Sequence, residues 1–130
     1  MVPAERDRGR AIVLYCARNG YHSISETLLA SAFACDRSQV WKAVTQANGV
    51  DVQTLVSSSR LIWVGLEVDG SSAGRASASR IARSLQFASA DALRKLVHRL
   101  TGHNWRHFVY TGALRVALDR WRCRASATCQ

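Results

Sequence analysis

The sequence predicts an all-α fold in which two helix-turn-helix subdomains are joined by a long connector helix. Three observations carry that prediction. Apolar residues recur at helical spacing along most of the chain, while no stretch of strand length alternates apolar and polar residues. Ser or Asp precedes several of these periodic runs and Gly follows them, as helix caps require. Finally, residues 25–49 (SETLLASAFACDRSQVWKAVTQANG) and 77–102 (SASRIARSLQFASADALRKLVHRLTG) read as one device written twice: a short helix, a tight turn, and a second helix ending at glycine.

The elements follow in order. Residues 1–9 are polar and expected to be disordered. Residues 10–19 (RAIVLYCARN) place Ile12, Val13, Cys16 and Ala17 on one face of a helix that Gly20 stops. Ser25 caps the next helix, with Leu28, Leu29, Ala32 and Phe33 turned inward. After a turn through Ala34 and Cys35, Asp36 caps a helix whose buried stripe is Val40, Ala43, Val44 and Ala47. Its outer side is left to Arg37, Ser38, Gln39, Trp41 and Lys42, and Gly49 ends it. These elements form a first subdomain over residues 10–50.

Asp51 opens the connector, residues 51–68, with Val52, Leu55, Val56, Leu61, Ile62, Val64 and Leu66 as its apolar positions. That much apolar surface implies burial on more than one side. Residues 69–76 (DGSSAGRA) form a Gly/Ser-rich linker that leaves Arg75 free to meet a phosphate. In the second subdomain, residues 77–109, Ile81, Ala82 and Leu85 face inward and Phe87 plugs the turn. Leu93, Leu96, Val97 and Leu100 form the buried stripe of its second helix. Ala90, Asp91, Arg94, Lys95 and His98 remain outside. Trp105 and Phe108 cover the end of the core, and a last helix, residues 113–124, lies within a C-terminal segment of residues 110–130.

Charge narrows the partner. Lys and Arg number 18 against 9 acidic residues, and residues 71–130 alone carry eleven basic and two acidic ones. A bias of that kind favours a polyanion, because each neutralised phosphate releases condensed counterions. Sixteen of the 18 are Arg, which suits phosphates and guanine edges, although a GC-rich genome would produce the same excess. No apolar run approaches the roughly 20 residues of a membrane span, and the start of the chain lacks the pattern of a secretory signal, so a cytoplasmic protein associated with the nucleoid is expected. Cys16, Cys35, Cys123 and Cys129 lack metal-binding spacing, as do the four histidines. Cys16 and Cys35 read as small buried hydrophobes, whereas a redox role for Cys123 and Cys129 stays open. No nucleophile elbow or carboxylate pair appears, so neither catalysis nor a cofactor is expected.

With both units and the connector in place, residues 10–109 resemble the DNA-binding domain of bacterial AraC/XylS-type transcription regulators. IARSLQFASADALRKLVHRLTGHNWRHF, from Ile81 to Phe108, is similar in order and spacing to that family's IA…LGF.S…ALRR.F.R.TG.SP..FR pattern. The first unit resembles the family's other helix-turn-helix through LLASAFACDRSQVWKAV, and Arg60-Leu61 fits the start of its connecting helix. The resemblance implies two helix-turn-helix units entering adjacent major grooves of double-stranded DNA, with RNA polymerase as a further partner. It implies either a small regulator acting as a monomer on DNA or the DNA-binding part of a longer one. It places base-reading positions on Ser38, Trp41 and Lys42, and on Ala90, Asp91, Arg94 and Lys95. Those residues belong to the outer faces derived above, which add Arg37 and Gln39. Arg75, Arg80, Arg83 and Arg99 are phosphate clamps or bystanders.

The chain departs from the family at the turns. The usual glycines are Ala34 and Gln86, and the usual Ser-Pro is Asn104-Trp105. A non-glycine residue costs about 1 kcal/mol where φ is positive. Trp41 stacks on a thymine methyl, packs on the connector, or forms a protein interface. Asp91 accepts from a cytosine amino group or caps its helix. A second class of function is therefore a protein-interaction module that binds RNA polymerase or another regulator through the same faces. The first half also looks like the DNA-binding domain of the replication initiator DnaA, a family in which the second unit has no place.

Overall fold

The computed structural model describes residues 3–71 and 77–125 and is all-helical there, with eight helices and no strand. They are α1 (Pro3–Asn19), α2 (Glu26–Ala32), α3 (Arg37–Asn48), α4 (Val52–Gly70), α5 (Ala78–Ser84), α6 (Ala90–Thr101), α7 (Trp105–Tyr110) and α8 (Ala113–Ala125).

The chain builds two apolar clusters, and α4 belongs to both. Val52, Leu55 and Val56 join Ile12, Cys16, Ile24, Leu29, Val40 and Val44 in the first cluster. Leu61, Val64 and Val68 join Ile81, Leu85, Leu93, Val97, Phe108 and Ala113 in the second. Between these two sets, Ser57, Ser58, Ser59 and Arg60 are all buried. Ser59 Oγ returns its proton to the Leu55 carbonyl at 2.9 Å, which satisfies a hydroxyl that would otherwise be costly in a helix interior.

The last helix is a second brace along α4. It starts in one cluster, where Ala113 and Ala117 are buried, and ends with Trp121 packed against the other. Gly65 allows this approach: a Cβ added there would sit 2.7 Å from Leu114 Cα. The carboxylate of Asp69 accepts from the Leu114 N–H at 3.3 Å, tying the end of α4 to the start of α8. Trp63, half-buried on α4, donates from Nε1 to the Ala17 carbonyl at 2.8 Å and holds α1.

Several expectations need correction. Helix α1 starts at Pro3 rather than at residue 10. Proline is tolerated at a first helical position, having no N–H to orphan, and Gly9 is buried against the Ala43 carbonyl and Ala47 Cβ of α3. Helix α4 runs on through Asp69 and Gly70, which were expected to belong to a linker. Leu28, Ala32, Ala47 and Leu66, assigned inward, are exposed, because the partners of these helices cover a narrower stripe than their apolar residues span. Arg75, Cys129 and the rest of 72–76 and 126–130 lie outside the described residues, as does the side chain of Cys123.

Candidate nucleic-acid interface

Two helix pairs, α2–α3 and α5–α6, repeat one another in hydrogen-bond detail. Ser25 and Ser77 cap the first helices, each accepting the third residue's N–H, at 3.0 Å from Leu28 and 3.1 Å from Arg80. Both short helices then close with a Schellman motif. The N–H of Cys35 reaches the Ala30 carbonyl at 3.0 Å and that of Ala34 reaches Ser31 at 3.3 Å. In the second pair Phe87 reaches Ala82 at 2.8 Å and Gln86 reaches Arg83 at 3.3 Å. Ala34 and Gln86 stand where the motif places its left-handed residue, with φ of 51° and 60°. The turns therefore keep the glycine conformation without the glycine.

The second helices start from different caps. Asp36 accepts from the Gln39 N–H at 2.8 Å while Gln39 Oε1 accepts from the Asp36 N–H at 3.0 Å, a complete capping box. Ser89 caps α6 through the Ala92 N–H at 3.1 Å. Each helix is 12 residues long and ends at a left-handed glycine, Gly49 and Gly102.

On α3 the five expected outer residues are all exposed. Ser38, Trp41 and Lys42 form an open face, with Trp41 52% exposed. Arg37 is turned toward α2, where Glu26 accepts from its Nη2 at 3.0 Å. Gln39 is tied into the cap. On α6, Arg94 is exposed with no ion pair among the described residues, and Lys95 pairs with Asp91 at 3.1 Å, one turn away. Asp91 therefore neutralises a neighbouring lysine and does not cap the helix. Ala90, expected outside, is half-buried against the second cluster. Arg99 donates to Ser57 Oγ of α4 at 3.2 Å.

A cleft of about 890 Å³ lies between the helix pairs. The α2–α3 pair contributes Ser25, Glu26, Thr27 and Arg37; α6 contributes Ala92, Lys95 and Arg99; and α4 supplies Val52, Gln53, Ser57 and Arg60. Four cations and one carboxylate border it. A smaller hollow of about 310 Å³ lies beside α6, between Arg94, Lys95, His98, Asn104 and Trp105.

Arg60, in the middle of α4, is a site residue that helical periodicity does not single out. It is 6% exposed, its Nη1 donates to the Gly20 carbonyl at 3.1 Å, and its guanidinium carbon sits 4.0 Å from the centre of the Phe87 ring. It thus touches the segment ahead of α2 and the turn between α5 and α6. Burial lowers its pKa from the ordinary value, yet an arginine so placed stays charged at neutral pH. The sequence signal was the polar run Ser57-Ser58-Ser59-Arg60 inside an otherwise apolar helix.

His103 and His107 bring their rings to 4.3 Å, but no group of three or more His, Cys, Asp or Glu suited to a metal occurs among the described residues. No helix there is long and apolar enough to cross a membrane. Comparison of the chain with protein-family models, with curated proteins and with solved structures finds no match.

Proposed function

We propose that this chain is a sequence-specific regulator of transcription, similar to the AraC type, that binds double-stranded DNA. In this reading α2–α3 and α5–α6 act as helix-turn-helix units and α4 is their connector. Helices α3 and α6 enter adjacent major grooves. Ser38, Trp41 and Lys42 read one groove, and Arg94 and Lys95 the other, with Asp91 holding Lys95 in place. The protein works without catalysis or a cofactor, as a monomer on one face of the duplex. The observation that carries the reading is the duplicated pair: two turns with the same hydrogen bonds and a left-handed residue at the same position, each followed by a 12-residue helix with an exposed polar face. Arg37 of α3 and Lys95 of α6 border one cleft, which puts basic residues of both second helices on its rim. The net charge of +9 supplies the affinity for phosphate.

Selection from randomised duplexes followed by footprinting tests this. Two protected patches about 34–36 Å apart, one helical turn, are expected on the same face. Protection of a single patch, or binding that ignores salt, defeats the two-groove reading.

One observation favours a second reading. Trp41, half exposed in the middle of the α3 face, is the kind of residue that anchors protein interfaces. In that case the face docks on RNA polymerase or another regulator. Binding to polymerase that persists without DNA, together with the absence of salt-dependent duplex binding, would select it.

A further inference from the structure

A guanidinium enclosed in protein is normally matched by a carboxylate, because removing a charge from water is costly. Arg60 has no such match. Among the described residues it forms no ion pair, and of its five N–H donors the structure directs one to a protein acceptor, the Gly20 carbonyl. Phe87 covers one side of the group, and the cleft borders it as well. Its neighbours in the cleft extend the pattern. Arg99 and Lys95 stand on α6, Lys95 in a solvent-exposed pair with Asp91 that a phosphate would have to displace or share. Ser57 Oγ, which accepts from Arg99, keeps its own proton to give. Glu26, the one acid of the lining, is already committed to Arg37.

From this we infer that the cleft between the helix pairs binds a phosphate group, held by Arg60 from beneath and by Arg99 and Lys95 from the side. Two guanidinium forks, an ammonium and a hydroxyl suit a tetrahedral oxyanion with several acceptor atoms better than a single carboxylate. The cleft's 890 Å³ leaves room for whatever the phosphate is attached to. The same chemistry comes from two sources: the duplex backbone where it passes between α3 and α6, or a free phosphate compound. The inference goes beyond the groove contacts proposed above: it shares Lys95 with them and rests on Arg60 and Arg99, which take no part in them.

The test uses the whole chain and follows the Arg60 side-chain Nε–H and the Phe87 ring by NMR. Pyrophosphate is titrated in one arm and a duplex oligonucleotide in the other, against sodium chloride at matched ionic strength. A saturable shift of Arg60 with pyrophosphate identifies a free phosphate compound as sufficient; a shift with duplex alone identifies the backbone. Arg99→Gln, a change at an exposed side chain, is expected to weaken the effective probe about tenfold. An Arg60 signal that neither probe moves overturns the site, and so does an unchanged affinity in Arg99→Gln. If duplex shifts Arg94 but neither Arg60 nor Arg99, the site falls and the groove reading stands. If pyrophosphate binds and no duplex does, the groove reading falls and the site stands.

Discussion

Ala34 and Gln86 hold the same left-handed backbone at matching points of two turns, with φ of 51° and 60°. Neither is glycine, so each turn carries the clash between Cβ and the following carbonyl that L-residues meet in this region. Ala34→Gly and Gln86→Gly are each expected to stabilise the fold by about 0.5–1 kcal/mol, the relief of strain exceeding glycine's added chain entropy. Urea denaturation would show a higher midpoint with an unchanged slope. A lower midpoint in both variants would mean that the turns do not adopt this conformation.

Gly65 marks where α4 and α8 come closest. A Cβ there would lie 2.7 Å from Leu114 Cα and 2.9 Å from its nitrogen, both backbone atoms that cannot rotate away. Gly65→Ala should therefore destabilise by about 1–3 kcal/mol, the usual range for overpacking, although alanine is the better helix former. A neutral result would show that α8 is not seated on α4 in solution.

The Cys16 thiol is enclosed in the first cluster, and burial pushes its pKa from 9.0 up to about 12. A thiol raised in this way stabilises the fold fully below the unfolded pKa of 9.0, and that contribution disappears as pH climbs toward about 12. Unfolding free energy should decline across that window, and Cys16→Ala should flatten the decline. At pH 8 a thiol reagent, mapped residue by residue by mass spectrometry, should modify the half-buried Cys35 and spare Cys16. Equal labelling of the two would contradict the packing of α1.

Arg94 and Lys95 test the duplex reading at one end. Arg94→Ala with Lys95→Ala is expected to weaken binding by roughly 2–4 kcal/mol, concentrated in one half of the footprint, and to flatten the salt dependence. Trp41→Ala should act on the other half and leave stability nearly unchanged, since more than half of that side chain is already in water. Unaltered affinity in the double variant would remove α6 from the interface.

Much of the helical layout is legible in the sequence, since caps and stops are local. Ser25, Asp36, Asp51, Ser77 and Ser89 all accept at their own helix starts, where a short polar side chain satisfies an orphan N–H. Gly49 and Gly102 end α3 and α6 for an equally local reason. The strong stripe of Leu93, Leu96, Val97 and Leu100 was read correctly because its residues alone define one face. Alanines were read less well. Ala32 and Ala47 proved exposed and Ala90 half-buried, because so small a side chain signals neither environment.

The amino-acid order by itself therefore determined where most helices begin and end and which large side chains they bury. Three-dimensional packing decided the rest: that α1 reaches back to Pro3, that α8 braces both clusters, and that Arg60 sits buried beneath a cationic cleft. These outcomes depend on pairs far apart in the chain, Gly9 with Ala43, Gly65 with Leu114 and Arg60 with Phe87. Periodicity reports which face of a helix is apolar; it carries no information about what that face will meet.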